Sequence, residues 1–316
     1  MSRHPADRVF TVAIRGAGVV LLGALLLMGV LLCVWAWPAA YELPGGFLAL
    51  AGGEWSPSRG RFGMAPLLTG TVLVAALAVL IAAPVGVLAA AFVHTLAPPV
   101  LRPPVAGLLW MMAGVPSVVW GFFGLVALVP VLSWVRPPGT SLLAAVLVLA
   151  VMLVPTTAVL SLAALKAVPG SSKLAAAGLG LSAVSTLRRV VLPQAWGGIL
   201  AAALLALCRG LGETLAVLMV AGNLPRFPGG PMDAVRTVTG NLALELGYAT
   251  GPHRSALFAT ALMLTLIVAV VLMLARLIHH DGGPRPPART ARADLLSLGP
   301  EAVGSTEIGA RPEGER

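Results

Sequence analysis

The sequence predicts an all-α membrane protein with six transmembrane helices, on three observations. The 316-residue chain is 58% hydrophobic and 10% charged, a balance far from that of soluble globular domains. Several of its apolar runs are long enough to cross a hydrocarbon core, which takes about 20 helical residues for about 30 Å. The roughly ten-residue alternation of membrane barrel strands is absent.

Charge and cysteine content exclude other classes. The net charge of +9 is spread over loops and termini rather than gathered in a patch, so it bears on membrane orientation and not on nucleic acid. Cys33 and Cys208 both lie inside apolar runs. With no CxxC pair and no histidine at ligand spacing, neither a disulfide framework nor a metal site is expected. No cofactor and no catalytic group are expected either. The run 17–37 is too long for the apolar core of a cleavable signal peptide, and no small-x-small site follows it.

Residues 1–16 carry Arg3, Arg8 and Arg15 ahead of the first span, 17–37, whose far end holds Trp35 and Trp37 as interface anchors. The segment 38–63 is polar and rich in Gly and Pro, which predicts an exposed loop or short interfacial helix. A second span covers 65–96, with a bend at Pro84. A third covers 105–134; there Pro116 frees a backbone carbonyl, and Gly114, Gly121 and Gly124 permit close helix approach. The fourth, 141–165, contains Pro155 beside Thr156 and Thr157, whose hydroxyls can serve freed backbone groups.

The stretch 166–195 differs in kind: Lys166, Lys173, Arg188 and Arg189 alternate with apolar residues at helical spacing. It predicts two short helices with a turn near Gly180. A fifth span, 196–221, and a sixth, 255–278, flank a polar loop at 222–254, in which Asp233 and Glu245 are expected to be solvated. The tail 281–316 has the composition of a disordered segment. With the N-terminus cytoplasmic, the inside segments hold Arg3, Arg8, Arg15, Arg102, Lys166, Lys173, Arg188, Arg189, Arg276, Arg285, Arg289 and Arg292. The outside segments hold Arg59, Arg61, Arg136, Arg226, Arg236 and Arg254. The asymmetry favours six spans (17–280) with both termini inside.

The fifth span contains the run LLALCRGLGETLAVLMVAGN, with Arg209 and Glu213 near its middle. A charge at a bilayer centre costs about 2.5–3.5 kcal/mol on insertion scales, so such residues face a protein interior or a wet path. Four apart on a continuous helix, the two share a face and their heads can meet. Arg before Glu is the weaker order for helix stability, which points to a role in a pathway. A self-neutralising pair that pins two helices is the alternative. Thr214 is a further lining candidate and Asn223 a weaker one. His94 is placed at a membrane edge.

The segment KLAAAGLGLSAVSTLRRVVLPQA (173–195) resembles the cytoplasmic loop of ABC-importer permeases: Ala175, Ala176, Gly180, Leu192 and Pro193 match the Glu-Ala-Ala, Gly and Leu-Pro pattern at its spacing. Leu174 stands where that pattern has glutamate. An amphipathic helix–turn–helix of this kind buries its apolar face in a partner groove or on lipid. GGEWSPSRGRFGMAPLLTGTVLVAALAVLIAAPVGVLAA (52–90), AGVPSVVWGFFGLVALVP (113–130) and LCRGLGETLAVLMVAGN (207–223) are similar to the PstC-type permease of the phosphate ABC importer, a likeness that covers roughly 50–225.

The resemblance implies a type I importer permease fold in the cell inner membrane. It further implies a PstA-type permease as heterodimer partner, two ATP-binding subunits docked on 166–195, and an extracytoplasmic phosphate-binding protein. The chain has no GxxxxGK[ST] phosphate loop, so ATP chemistry belongs to another subunit. Other readings remain: a permease for sulfate or molybdate, the PstA-type partner itself, or a secondary transporter driven by an ion gradient.

Overall fold

The computed structural model describes residues 5–43 and 45–282, so the expected disordered tail lies almost wholly outside the described residues. Helix α1 (Pro5–Ala36) is apolar and leads into a short α2 (Ala39–Glu42). A tight 3-10 turn, Gly46–Ala51, precedes an antiparallel hairpin of β1 (Trp55–Ser56) and β2 (Arg61–Phe62), in which Trp55 faces Phe62. Helix α3 (Ala65–Ala91) ends in a widened turn, Phe92–Leu96. There follow α4 (Arg102–Gly114), α5 (Ser117–Phe123), α6 (Val129–Ser133) and α7 (Leu142–Lys166). The last group is α8 (Gly170–Gly178), α9 (Ala183–Thr186), α10 (Leu192–Leu211), α11 (Leu215–Val220), α12 (Val238–Glu245) and α13 (Gly251–Gly282).

Among the described residues five helices are long and apolar enough to cross a membrane: Phe10–Glu42, Ala65–Leu96, Leu142–Lys166, Ala183–Leu211 and Gly251–Ile278. The expected third span is not straight. Its two halves, Arg102–Gly114 and Ser117–Ser133, meet at 91°, and counting them as one span gives six. Pro116 sets the break, because a residue before proline is pushed out of helical geometry; Val115 accordingly has ψ 129°. Pro84 and Pro155, by contrast, sit inside continuous helices.

Lipid is as apolar as leucine, so helices in a bilayer associate through close packing and hydrogen bonds rather than through hydrophobic drive. The centre of this bundle is built that way. Ala75, Ala78 and Ala82 of α3 are fully buried, as are Ala144, Ala145, Leu149 and Leu153 of α7. At Gly86 the two helices come so close that a Cβ would lie 1.9 Å from Thr157 Oγ1. The Thr157 hydroxyl is also 3.0 Å from the Ala82 carbonyl on the neighbouring helix. It does not reach the Val151 carbonyl freed by Pro155; its own-helix contacts are the Leu153 and Val154 carbonyls. The bent pair uses Gly121 and Gly124 in the same way: Cβ atoms there would meet Ala216 Cα at 2.7 Å and Val148 Cγ2 at 2.3 Å. Gly114 has no such neighbour.

The end of the bundle at which α3 begins corrects two sequence expectations. The segment 38–63 is only partly the exposed loop or short helix expected, since Leu43, Leu50, Trp55 and Phe62 are buried in one cluster with Val238, Ala256 and Leu257. Glu245 is not solvated; it is 6% exposed. Its Oε1 accepts from Arg236 Nη1 at 2.7 Å, and its Oε2 lies 2.9 Å from His253 Nε2. Helix α1 is tied to the same end by Arg254, whose guanidinium lies 4.0 Å over the Trp35 ring.

Candidate substrate path and coupling loop

The fifth expected span, 196–221, is broken. Helix α10 stops at Leu211 and α11 starts at Leu215, so Gly212, Glu213 and Thr214 form a non-helical joint. Gly210 and Gly212 weaken the helix there, glycine costing about 1 kcal/mol relative to alanine. The joint separates the two charges. Among the described residues Arg209 and Glu213 form no ion pair with each other, contrary to what four-residue spacing predicts for an unbroken helix.

Instead each charge stands at the helix end that suits it. Arg209 lies in the last turn of α10, where the negative end of the helix dipole favours a cation. Its Nη1 donates to Thr156 Oγ1 on α7 at 3.0 Å. Glu213 lies just ahead of α11, where an anion is favoured, and its Oε1 accepts from the Ala216 amide at 3.2 Å. The Glu213 carbonyl accepts from Thr239 Oγ1 on α12 at 2.8 Å. Thr214 turns back to the Gly212 carbonyl at 3.4 Å. Arg209 is exposed and Glu213 half-buried. Its only described side-chain bond being to a neutral hydroxyl, the Arg209 guanidinium keeps donors for another acceptor.

Asn223 braces the end of α11. It adopts a left-handed φ of 56°, and its Nδ2 donates to the Leu218 carbonyl at 2.7 Å. Its own carbonyl accepts from Arg236 Nε at 2.8 Å. Arg236 thereby connects the end of α11 to Glu245, a link the sequence does not reveal. The signal for it in the sequence is the density of charge in 222–254.

The second region is 166–195. Helix α8 ends in a turn at Gly180, whose φ of 72° is a conformation only glycine takes without strain. The expected second short helix is not separate: α9 continues through Leu187–Val191 into α10, which places Pro193 near the start of α10. Leu187, Val191 and Ala195 are buried against Ala90, Val93, Leu109, Leu162 and Leu165, and Ala176 of α8 is buried as well. Leu192 is half-buried, while Ala175, Gly180 and Pro193 are exposed. Leu174 and Leu179 project outward, 75% and 81% exposed.

A bundle of apolar spans, one of them broken beside an exposed arginine, defines a multi-pass membrane protein. Residues 82–281 match the family described as binding-protein-dependent transport system inner membrane component, and the chain belongs to that family. It is 33% identical over 294 residues to the phosphate transport system permease protein PstC of Mesorhizobium japonicum, covering 85% of this chain and 89% of that one. It is 34% identical over 229 residues to the probable ABC transporter permease YqgH of Bacillus subtilis, covering 71% and 74%. The PstC protein of Pasteurella multocida is 33% identical over 254 residues, covering 74% and 79%. In fold, the chain is similar to the MetNI methionine ABC transporter in an inward-facing form, with TM-score 0.56, 18% identity and coverage of 73% and 100%. The fold is that of type I ABC-importer permeases.

Proposed function

We propose that this chain is the PstC-type permease subunit of an ATP-driven importer that moves inorganic phosphate into the cytoplasm. The observation that carries the reading is Arg209, an exposed guanidinium held by a single neutral hydroxyl beside a break in a membrane helix. Guanidinium donors match phosphate oxygens in a fork, and low dielectric strengthens the contact. Because Glu213 is engaged by α11, Arg209 is not quenched by it. A pathway must also release what it admits; movement at 212–214 changes the distance between the anion-binding guanidinium and the repelling carboxylate. Thr214 belongs to that hinge.

In this reading both termini and 166–195 are cytoplasmic, and the exposed Leu174 and Leu179 meet one of two ATP-binding subunits. These subunits hydrolyse ATP. A PstA-type permease completes the path, and an extracytoplasmic phosphate-binding protein delivers the anion at the Glu245 end. ATP-driven closure acts on the loop, and the spans rock between outward- and inward-open states.

The test is uptake of labelled phosphate against sulfate in vesicles that hold the complete complex and ATP. Arg209→Ala and Glu213→Ala are expected to abolish phosphate uptake while the complex still assembles. Normal uptake by both variants would remove the pathway role, and preferential sulfate uptake by the unaltered complex would change the substrate. Replacing Gly180 or Pro193 is expected to uncouple hydrolysis from uptake or to release the ATP-binding subunit. Intact co-purification with normal coupling would count against loop docking.

A further inference from the structure

Helix α8 is weakly anchored to the bundle. It is nine residues long and buries one small side chain, Ala176. Leu174, which occupies the position of the family's glutamate, points away from the bundle and cannot order the helix against it. One polar contact does hold it: Lys173 Nζ lies 3.2 Å from His94 Nε2. An ammonium has donors only, so Nε2 is the acceptor. His94 is then the neutral tautomer with its proton on Nδ1, which donates to Thr95 Oγ1 at 2.9 Å.

His94 sits in the widened last turn of α3, next to buried Val93. A displacement of α8 therefore reaches α3 through this contact, and α3 packs through Gly86 on Thr157, the neighbour of the hydroxyl that holds Arg209. We infer that Lys173 and His94 form the positioning joint that couples the loop helix α8 to the second span. The inference rests on the reading of 166–195 as the loop that docks the ATP-binding subunit.

The test compares His94→Ala, Lys173→Met, the double variant and His94→Gln, whose amide oxygen can accept from Lys173. Hydrogen exchange of α8 amides in the permease is read first, since it does not depend on the ATP-binding subunit. Exchange is expected about tenfold faster in both single variants, no faster in the double variant, and near normal in His94→Gln; a charge-assisted hydrogen bond is of that order. In the complete complex the ATP-binding subunit should still co-purify, while ATP consumed per phosphate imported rises several-fold in each single variant and is restored by glutamine. Unchanged exchange in the single variants would overturn the joint, as would additive effects in the double variant or an unchanged coupling ratio. Failure of the unaltered chain to retain the ATP-binding subunit would overturn the docking reading instead, with the exchange result still deciding the contact.

Discussion

Trp55 Nε1 donates to Glu245 Oε2 at 2.8 Å across 190 positions of sequence. The contact joins the β1–β2 hairpin to α12, and Glu245 also holds Arg236 and His253. One buried carboxylate thus ties the segment before the second span to the segment before the last. Removing one partner from a buried ion pair costs about 3–5 kcal/mol, because the other charge is left uncompensated. Glu245→Ala should therefore lose about that much in a denaturant titration of the purified protein. Trp55→Phe should lose about 1.5–3 kcal/mol, the worth of a hydrogen bond to a charged group. Equal midpoints for Glu245→Ala and the unaltered chain would show that the carboxylate holds nothing.

At the centre of the bundle, Gly86→Ala places a methyl group 1.9 Å from Thr157 Oγ1 and 2.9 Å from the Ala158 amide nitrogen. Overpacking of this kind costs about 1–3 kcal/mol. Adding Thr157→Ala should recover part of the loss and not all of it, since the backbone atom remains. A double-variant cycle in unfolding free energy checks this; strict additivity would mean that the two helices separate elsewhere.

Thr156 orients Arg209. Thr156→Val keeps the side-chain shape and removes the acceptor, at a cost of about 1.5–3 kcal/mol for a hydrogen bond to a charge. Phosphate uptake should fall about tenfold or more with assembly unchanged. Arg209→Lys should fall between Thr156→Val and Arg209→Ala, because an ammonium keeps the charge and loses the planar fork. Initial rates of labelled phosphate uptake rank the three variants, and a Thr156→Val rate equal to that of the unaltered chain would free Arg209 from this partner.

The Gly229 amide and the Arg136 guanidinium hold the Asp233 carboxyl below the usual aspartate range. A depressed carboxylate contributes stability that is present above its unfolded pKa, about 3.9, and is lost as pH falls through the folded value. The loop around it supplies the Asp233 and Pro231 carbonyls that accept from Leu142 and Leu143 at the start of α7. Protection of these two amides, corrected for intrinsic exchange, should hold at pH 6 and weaken as pH falls below about 4. Asp233→Asn should remove the pH dependence and lower protection at neutral pH; a variant as protected as the unaltered chain would clear Asp233 of the role.

Much of this protein was decided within short stretches of its sequence. Span length follows from the bilayer, an external ruler that each apolar run meets by itself, and the long helices lie where the runs do. Gly180 likewise marks its own turn by having no Cβ, whereas the helix breaks at Pro116 and runs on through Pro84 and Pro155, a choice that proline alone does not make. What the sequence left open is which side chains meet. Arg209 and Glu213 are four apart, and spacing alone joins them; in the folded chain the joint at 212–214 gives each a helix end, and α7 gives Arg209 its hydroxyl. Glu245 reads as a loop charge until Trp55 is brought to it from 190 residues away and Arg236 and His253 fold back on it from its own segment. The physical reason is the same in both cases. Hydropathy and backbone preference are properties of a few neighbouring residues, whereas the partner that makes a buried charge tolerable is chosen by packing between distant ones.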